Sequence, residues 1–314
     1  MKKQLLIAAV AATMGTAAIA DISITGNMKV NYKSTDFDNA ATASTNNVTQ
    51  EGNLLLVGSN GGTKVHVEVA IDGDNSPSAT DNMRTEDVWM STTIGDVSVK
   101  TGTWNGSDTI FAADGARTNG NWVLGTSVAG AAISVEGDSN ASATTTAIKG
   151  NIAGVAATYK IKSTSNELYL ASDVVGVAAT YAMIDADAAN SSAAAFTLSK
   201  EFNGVTVSYS DVDADSGYTV SGDTAAFGNA AGFMNVGDDA SSLKIATSMA
   251  GNKVSVRRVS VDALVAANDV DVTTVQVTRA LAAGTTLEVT YTDVDESTAT
   301  TGSSVLDLEL AVKF

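Results

Sequence analysis

The chain of 314 residues contains no cysteine and only one proline. The absence of cysteine excludes disulfide bonds, thiol nucleophiles and metal sites that use sulfur ligands. The scarcity of proline leaves nearly every backbone N–H available to a sheet, and the 27 glycines can supply tight turns. This composition favours a chain of many strands joined by short turns.

Basic residues and histidine are scarce as well. Lysine and arginine number 18 against 35 aspartates and glutamates, which gives a net charge of −17. The acidic excess argues against a nucleic-acid partner, because such a partner needs a basic surface. The only histidine, His66, has no companion motif, and the chain contains no G-x-S-x-G sequence. We therefore predict no enzyme activity, no cofactor and no metal site.

Beyond its first residues the chain also lacks a long apolar run. No later stretch approaches the roughly 18 consecutive apolar residues of a transmembrane helix. At the N-terminus, two lysines precede an apolar run from Leu5 to Met14 and the small residues Ala18-Ile19-Ala20. This order predicts a signal peptide over residues 1–20 and a mature chain that begins at Asp21. An N-terminal membrane anchor is the alternative, although the run is short for a span.

What the chain has in abundance is strict alternation of apolar and polar residues. The alternation starts right after Asp21 and recurs in runs at 22–32, 65–71, 155–161, 177–183, 205–209, 254–256 and 287–291. In the last twelve residues, one side of the pattern carries Leu306, Leu308, Leu310, Val312 and Phe314. A period of two gives each strand one apolar and one polar face. A large ring at the end of an apolar face is typical of a membrane barrel.

The connections between these runs are of two alternating kinds. Eight short glycine-containing turns lie at 59–62, 94–96, 128–130, 151–154, 174–176, 202–204, 250–252 and 282–284. They alternate with generally longer polar stretches, including 33–50, 73–83, 104–119, 212–240 and 293–302. A β-sandwich does not need this asymmetry, whereas outer-membrane barrels have short periplasmic turns and long outer loops. We predict an all-β fold, a transmembrane antiparallel β-barrel of about 16 to 18 strands over residues 21–314.

If the apolar faces meet lipid, the opposite faces line the lumen of the barrel. The predicted channel-lining residues are Lys29, Lys64, Lys100, Lys244, Arg257 and Glu68, accompanied by Glu288, Asp307 and Glu309. A polar interior of mixed charge is what a water-filled channel requires. The alternative is that these side chains lie on the solvated faces of soluble strands.

One stretch carries a family resemblance. Arg84–Trp104, RTEDVWMSTTIGDVSVKTGTW, is similar to the strand, tight turn and strand that lead into the third loop of bacterial general porins. The layout of the whole mature chain resembles the α- and β-proteobacterial members of that family. The resemblance implies an outer-membrane channel of a Gram-negative bacterium, surrounded by outer-membrane lipids and assembled as a homotrimer, through which small hydrophilic solutes diffuse passively.

The same resemblance implies that the third loop, Asn105–Asn119, folds into the barrel and narrows the pore, with Asp108 and Asp114 as its acids. The family usually has 16 strands and an arginine before this loop. Thr103 stands near the place of that arginine, and Lys100 is the nearest base.

Acidic groups in or beside the outer loops have two possible interpretations. They comprise Asp72 with Asp74, Asp238 with Asp239, and Asp293 with Asp295 and Glu296. These groups are either plain solvated residues or weak sites for divalent cations, since adjacent carboxylates repel each other unless a cation bridges them. Two other protein classes also stay open at this point: a secreted structural β-protein, and a barrel that serves as an adhesin or envelope anchor without conducting.

Overall fold

The computed structural model describes residues 21–38, 42–72, 83–105, 117–139, 144–189, 191–218, 227, 234–235, 237–265, 269–296 and 302–314. The predicted signal peptide lies outside these residues. In the described part of the chain, no helix is long and apolar enough to cross a lipid bilayer.

Within these described residues, eighteen antiparallel strands form a single sheet. The strands are β1 Asp21–Phe37, β2 Thr45–Asn60, β3 Thr63–Asp72, β4 Arg84–Ile94, β5 Val97–Asn105, β6 Arg117–Val128, β7 Ala131–Gly137, β8 Thr145–Ile152, β9 Val155–Ile161, β10 Ser165–Val174, β11 Val177–Ala186, β12 Ala193–Phe202, β13 Val205–Ala214, β14 Asp239–Met249, β15 Asn252–Asp262, β16 Val270–Ala282, β17 Thr285–Glu296 and β18 Ser303–Lys313. The predicted all-β barrel is confirmed, at the upper end of the expected strand number.

The sheet closes because β1 pairs with both β2 and β18. The seam with β18 runs from Asn27 opposite Lys313 to Phe37 opposite Ser303. Beyond it, the Gly26 N–H donates to the Phe314 carbonyl at 2.9 Å, and the Phe314 N–H donates to the Gly26 carbonyl at 3.0 Å. Closure gives every strand two neighbours and leaves the sheet without an edge.

All eight predicted glycine turns join consecutive strands at one end of the barrel. In five of these turns both central residues have positive φ, for example Asn203 at 52° and Gly204 at 81°. This is the type I′ geometry that matches the twist of a two-residue hairpin. The alternation of turns was therefore a reliable guide to strand order.

At the other end, several strands run further than the polar composition indicated. Lys33 lies within β1, Val212 within β13 and Asp293 within β17, although each was predicted to begin a loop. Backbone pairing continues there because a strand needs no lipid contact to keep its hydrogen bonds. Not every connection at this end is long, since β9 and β10 are separated by residues 162–164 alone.

The outer face of the barrel carries an apolar belt. On β1 the outward positions from Ile22 to Tyr32 are apolar except at Gly26, and Ile24 is 61% exposed. Ten residues rise about 34 Å, which at a tilt of about 45° spans about 24 Å, the height expected of a lipid-facing band. Exposed apolar residues also end the strands at the tight turns: Ile94, Val128, Ile152, Val174, Phe202 and Met249.

Five of the seven tyrosines lie on this outer face: Tyr32, Tyr159, Tyr181, Tyr209 and Tyr291. Each is the last or next-to-last large outward-facing apolar residue before its strand reaches the loop end. Tyrosines at that level form the interfacial girdle of membrane barrels. Past the girdle the outward positions become acidic, at Asp36, Asp185, Asp211, Asp213, Asp262, Asp293 and Asp295. The apolar belt therefore ends where the carboxylates begin.

Closure at the seam predicts that removal of β18 prevents assembly, because β1 and β17 would both become open edges in lipid. The variant Phe314→Asp should have a smaller effect, since a carboxylate near the interface costs at most about 1 kcal/mol. Phe202→Asp is the matched control, with the same change at the same rim away from the seam. Heat-modifiable migration in detergent measures folding, and a normal shift in the β18 deletion would contradict the closed barrel.

Candidate functional site

The inner face of the barrel carries a band of charged and polar side chains at mid-height, which we call the mid-barrel band. A cavity there is lined by Asn31, Lys244, Ser255, Arg257, Thr274, Gln276, Glu288, Thr290, Asp307 and Glu309. Direct cross-strand neighbours share a face of the sheet, so the pairing of Lys29 with Glu51 extends the band to β2.

Apart from the Lys29–Glu51 ion pair, charges in the mid-barrel band are separated by sign. Lys244 stands directly opposite Arg257 on β14 and β15, and Glu288 stands opposite Glu309 on β17 and β18. The uncharged wall of β16 lies between the two pairs. A basic patch and an acidic patch on neighbouring parts of one wall create an electric field along that wall, from β14 and β15 towards β17 and β18.

Hydrogen bonds hold the acids of the band in place. Gln276 Nε2 donates to Glu288 Oε1 at 2.7 Å, and Thr278 Oγ1 donates to Glu288 Oε2 at 3.1 Å. Asn31 Nδ2 donates to Asp307 Oδ2 at 3.4 Å. Lys29 Nζ lies 2.9 Å from Glu51 Oε2, an ion pair that is still partly open to water. Such a pair adds at most about 1 kcal/mol of stability, so its main effect is to neutralise this part of the wall.

Lys64 and Lys100 lie on the same inner face, in a group that we call the tryptophan cluster: Lys64, His66, Trp89, Lys100 and Trp104. Lys100 Nζ lies 4.4 Å from the ring centre of Trp89 and 4.2 Å from that of Trp104. Lys64 Nζ lies 5.4 Å from the Trp89 ring centre, and the His66 ring stacks on Trp89 at 4.6 Å. The sixth predicted lining residue, Glu68, places Oε2 3.8 Å from His66 Nε2.

Gly102 creates the space for Trp89. A Cβ at this position would lie 2.2 Å from the Val88 carbonyl oxygen and 2.6 Å from the Trp89 Cα, and its φ of 140° is one that only glycine adopts readily. The sequence offered no reason to single out this glycine or either tryptophan. Their roles depend on cross-strand neighbours that alternation alone does not identify.

Nearer the loop end, the inner face changes from polar to apolar. Buried inward residues of seven strands form one cluster, which includes Ile184, Val212, Val259, Val261, Val270, Val272 and Val294. Phe227 and Met234 pack into this cluster, and Phe227 is only 2% exposed. Both belong to residues 215–238, which connect β13 to β14 and which we call the cap segment. Phe227 and Met234 therefore lie inside the barrel rather than above it.

Polar contacts fix the ends of the cap segment. The buried Asp238 carboxylate accepts hydrogen bonds from the Asn235 N–H at 2.6 Å and from the Leu264 N–H at 3.0 Å. Gly237 N–H donates to the Tyr218 carbonyl at 2.7 Å. Burial, with a smaller contribution from the Glu167 carboxylate of β10, raises the pKa of Tyr218 to about 12. The phenol is neutral at physiological pH and lies partly buried against the apolar cluster.

The sequence did contain a signal for the cap. On β15 the apolar positions are Val254 and Val256 near the tight turn, but Val259 and Val261 near the loop end. The apolar phase thus moves from the outer to the inner face within one strand. A single phase over the whole chain predicts a polar interior throughout, and this prediction is wrong at the loop end of the barrel.

Some predicted residues lie outside the part of the chain that the structure describes. These are Asp108 and Asp114 of the third loop, together with Asp74. Of the acidic pairs near the loops, Asp238 is engaged in the cap, and Asp239 Oδ1 accepts a hydrogen bond from the Ala214 N–H at 2.9 Å.

No family model matches the sequence, and a search of curated proteins finds no match. The barrel is similar to the crystal structure of a BenF-like porin from Pseudomonas fluorescens, at 12% identity and a TM-score of 0.69 over 94% of this chain and 98% of that one. It is also similar to OccK9 from Pseudomonas aeruginosa, at 13% identity and a TM-score of 0.70 with the same coverage. The barrel is also similar to the outer-membrane protein OprD from Pseudomonas aeruginosa, at 12% identity and a TM-score of 0.65 over 95% of each chain. The chain therefore has the fold of bacterial outer-membrane porins.

Proposed function

We propose that the chain is a water-filled channel in the outer membrane of a Gram-negative bacterium, through which small hydrophilic solutes and ions diffuse passively. The observation that carries the proposal is the mid-barrel band, a polar interior enclosed by a barrel whose outer face is apolar. A hydrated solute needs that interior, and lipid needs that exterior. The porin fold of the solved neighbours supports the same function and gives no reason to expect an enzyme.

The interior explains how the channel selects solutes. Lys244 and Arg257 attract the negative end of a dipolar solute, while Glu288, Asp307 and Glu309 attract its positive end. The solute therefore crosses the band in a preferred orientation. Phe227 and Met234 of the cap segment occupy part of the lumen near the loop end, and we expect them to limit the size of what enters.

Three finer points belong to the proposal. The chain is a general porin of the α- and β-proteobacterial kind, it assembles as a homotrimer, and its outer carboxylates hold divalent cations weakly. The layout around Arg84–Trp104 supports the first two points. The count of 18 strands, where that family usually has 16, weighs against the first point.

The proposal predicts that purified protein needs detergent and produces stepwise conductance in a planar bilayer. Protein that stays soluble without detergent would instead favour the secreted structural class. Protein that inserts and folds without conducting would favour an adhesin or anchor. Either result contradicts the channel.

The cap predicts which part of the channel limits the current. Asp238→Ala removes the acceptor that holds Asn235 and Leu264, so the cap should loosen and single-channel conductance should rise. Asp213→Ala removes an exposed outward carboxylate and is the control. Excision within residues 106–116 tests the third loop in the same way. If Asp238→Ala conducts like the wild type while the excision raises conductance, the constriction lies in the third loop instead.

Ion preference follows from the charges. Without Lys2 and Lys3 of the predicted signal peptide, the net charge changes from −17 to about −19. This acidic excess favours cations at low salt, and screening should weaken the preference as salt rises. A unit charge about 6 Å from an ion in water-like surroundings changes its energy by about 0.7 kcal/mol. The variant Lys244→Gln/Arg257→Gln should therefore raise the cation-to-anion permeability ratio at least roughly threefold. The reversal potential in a salt gradient measures the ratio, and the outward-facing Lys200→Gln is the control. Anion selectivity of the wild type at all salt concentrations would refute this account.

A further inference from the structure

Three potential metal ligands meet on the inner face beside the tryptophan cluster. The pairing of β3 with β4 shifts register between Val67 and Val69, and a bulge of this kind redirects side chains. The ligating atoms of His66, Glu68 and Asp87 all lie within 4.8 Å of one another. Within the described ranges of the chain, no other three histidine or carboxylate side chains come this close.

All three side chains point into the barrel. His66 and Glu68 are two residues apart on β3 and so share a face, as do Asp87 and Trp89 on β4. The two faces are the same one, because His66 stands directly opposite Trp89. Metal ions would therefore reach the group from the lumen.

The imidazole of His66 is held in a fixed orientation. Its ring stacks on Trp89 with 14° between the planes, and Gly102 leaves the room that Trp89 occupies. His66 Nε2 is buried and has no hydrogen-bond partner among the described residues. A buried nitrogen without a partner is unfavourable, and a metal ion is one group that would satisfy it.

The charges around the group favour a dication and limit how tightly it binds. The carboxylates of Glu68 and Asp87 lie close together, and a cation between them removes their repulsion. Lys64 and Lys100 lie over the neighbouring Trp89 ring, and their positive charges repel a cation bound at the site. The balance indicates exchangeable rather than permanent binding.

We propose that His66, Glu68 and Asp87 bind Zn²⁺ or a similar divalent transition-metal ion inside the lumen, contrary to the prediction of no metal site made from the sequence alone. One imidazole nitrogen and two carboxylate oxygens are ligands that Zn²⁺ accepts, whereas Mg²⁺ and Ca²⁺ prefer oxygen alone. Lumen water completes the coordination. The regulatory consequence rests on the proposed channel function: a bound ion adds positive charge to the wall and reduces cation current.

Calorimetry on detergent-solubilised protein without a histidine tag tests the binding directly. Wild-type protein should take up about one Zn²⁺ per chain, and Mg²⁺ should not compete. His66→Gln, Glu68→Gln and Asp87→Asn should each weaken binding at least about tenfold. Glu288→Gln, which removes a luminal carboxylate elsewhere, should keep wild-type affinity. Heat-modifiable migration checks that each variant is folded.

Channel recordings test the consequence. Micromolar Zn²⁺ should lower wild-type conductance and shift the reversal potential towards the equilibrium potential of the anion. A chelator should reverse both effects. The variant His66→Gln should show neither effect of Zn²⁺. No Zn²⁺ uptake by the wild type, or equal uptake by folded His66→Gln, would overturn the metal site even if the protein conducts. Uptake that depends on His66 in a protein that does not conduct would overturn the channel function and leave the site standing.

Discussion

Backbone hydrogen bonding in lipid is the constraint on which the rest of the structure depends. Hydrocarbon offers no partner to a backbone N–H or carbonyl, so a sheet that crosses it must close on itself. Here the closing contacts are those of β1 with β18, completed by the two reciprocal hydrogen bonds between Gly26 and Phe314. Once the sheet is closed, the alternation of side chains decides whether each strand residue faces lipid or the interior.

That alternation is used in two opposite ways along the barrel axis. At membrane height, apolar residues face outwards and charges face inwards, which suits lipid outside and water inside. Near the loop end, carboxylates such as Asp213 face outwards, while Val212 and Val259 face inwards against Phe227 of the cap. The same strands thus form a membrane wall at one level and the wall of a small apolar core at the next. The reversal marks where the barrel leaves the membrane.

The sequence was sufficient for features that depend on one strand or one turn. It predicted the strand order and the eight turns, because period two and glycine spacing are local. It did not predict the cap or the tryptophan cluster. Phe227 meets Val212 only through a long connection, and Trp89 meets His66 and Lys100 only through cross-strand register. Such contacts depend on partners far apart in sequence. The change of apolar phase within β15 nevertheless indicated the inward apolar surface against which Phe227 packs.

The central claim, one face in lipid and one in a water-filled lumen, is tested most directly on β17. The chain has no cysteine, so single cysteines at Leu287, Glu288, Val289, Thr290 and Tyr291 can be studied without background. In reconstituted protein, a charged water-soluble thiol reagent should modify Glu288→Cys and Thr290→Cys and change the current through them. Fluorophores at the other three positions should be quenched by brominated lipid tails. Reaction with the water-soluble reagent at all five positions, or the opposite parity, would contradict the account.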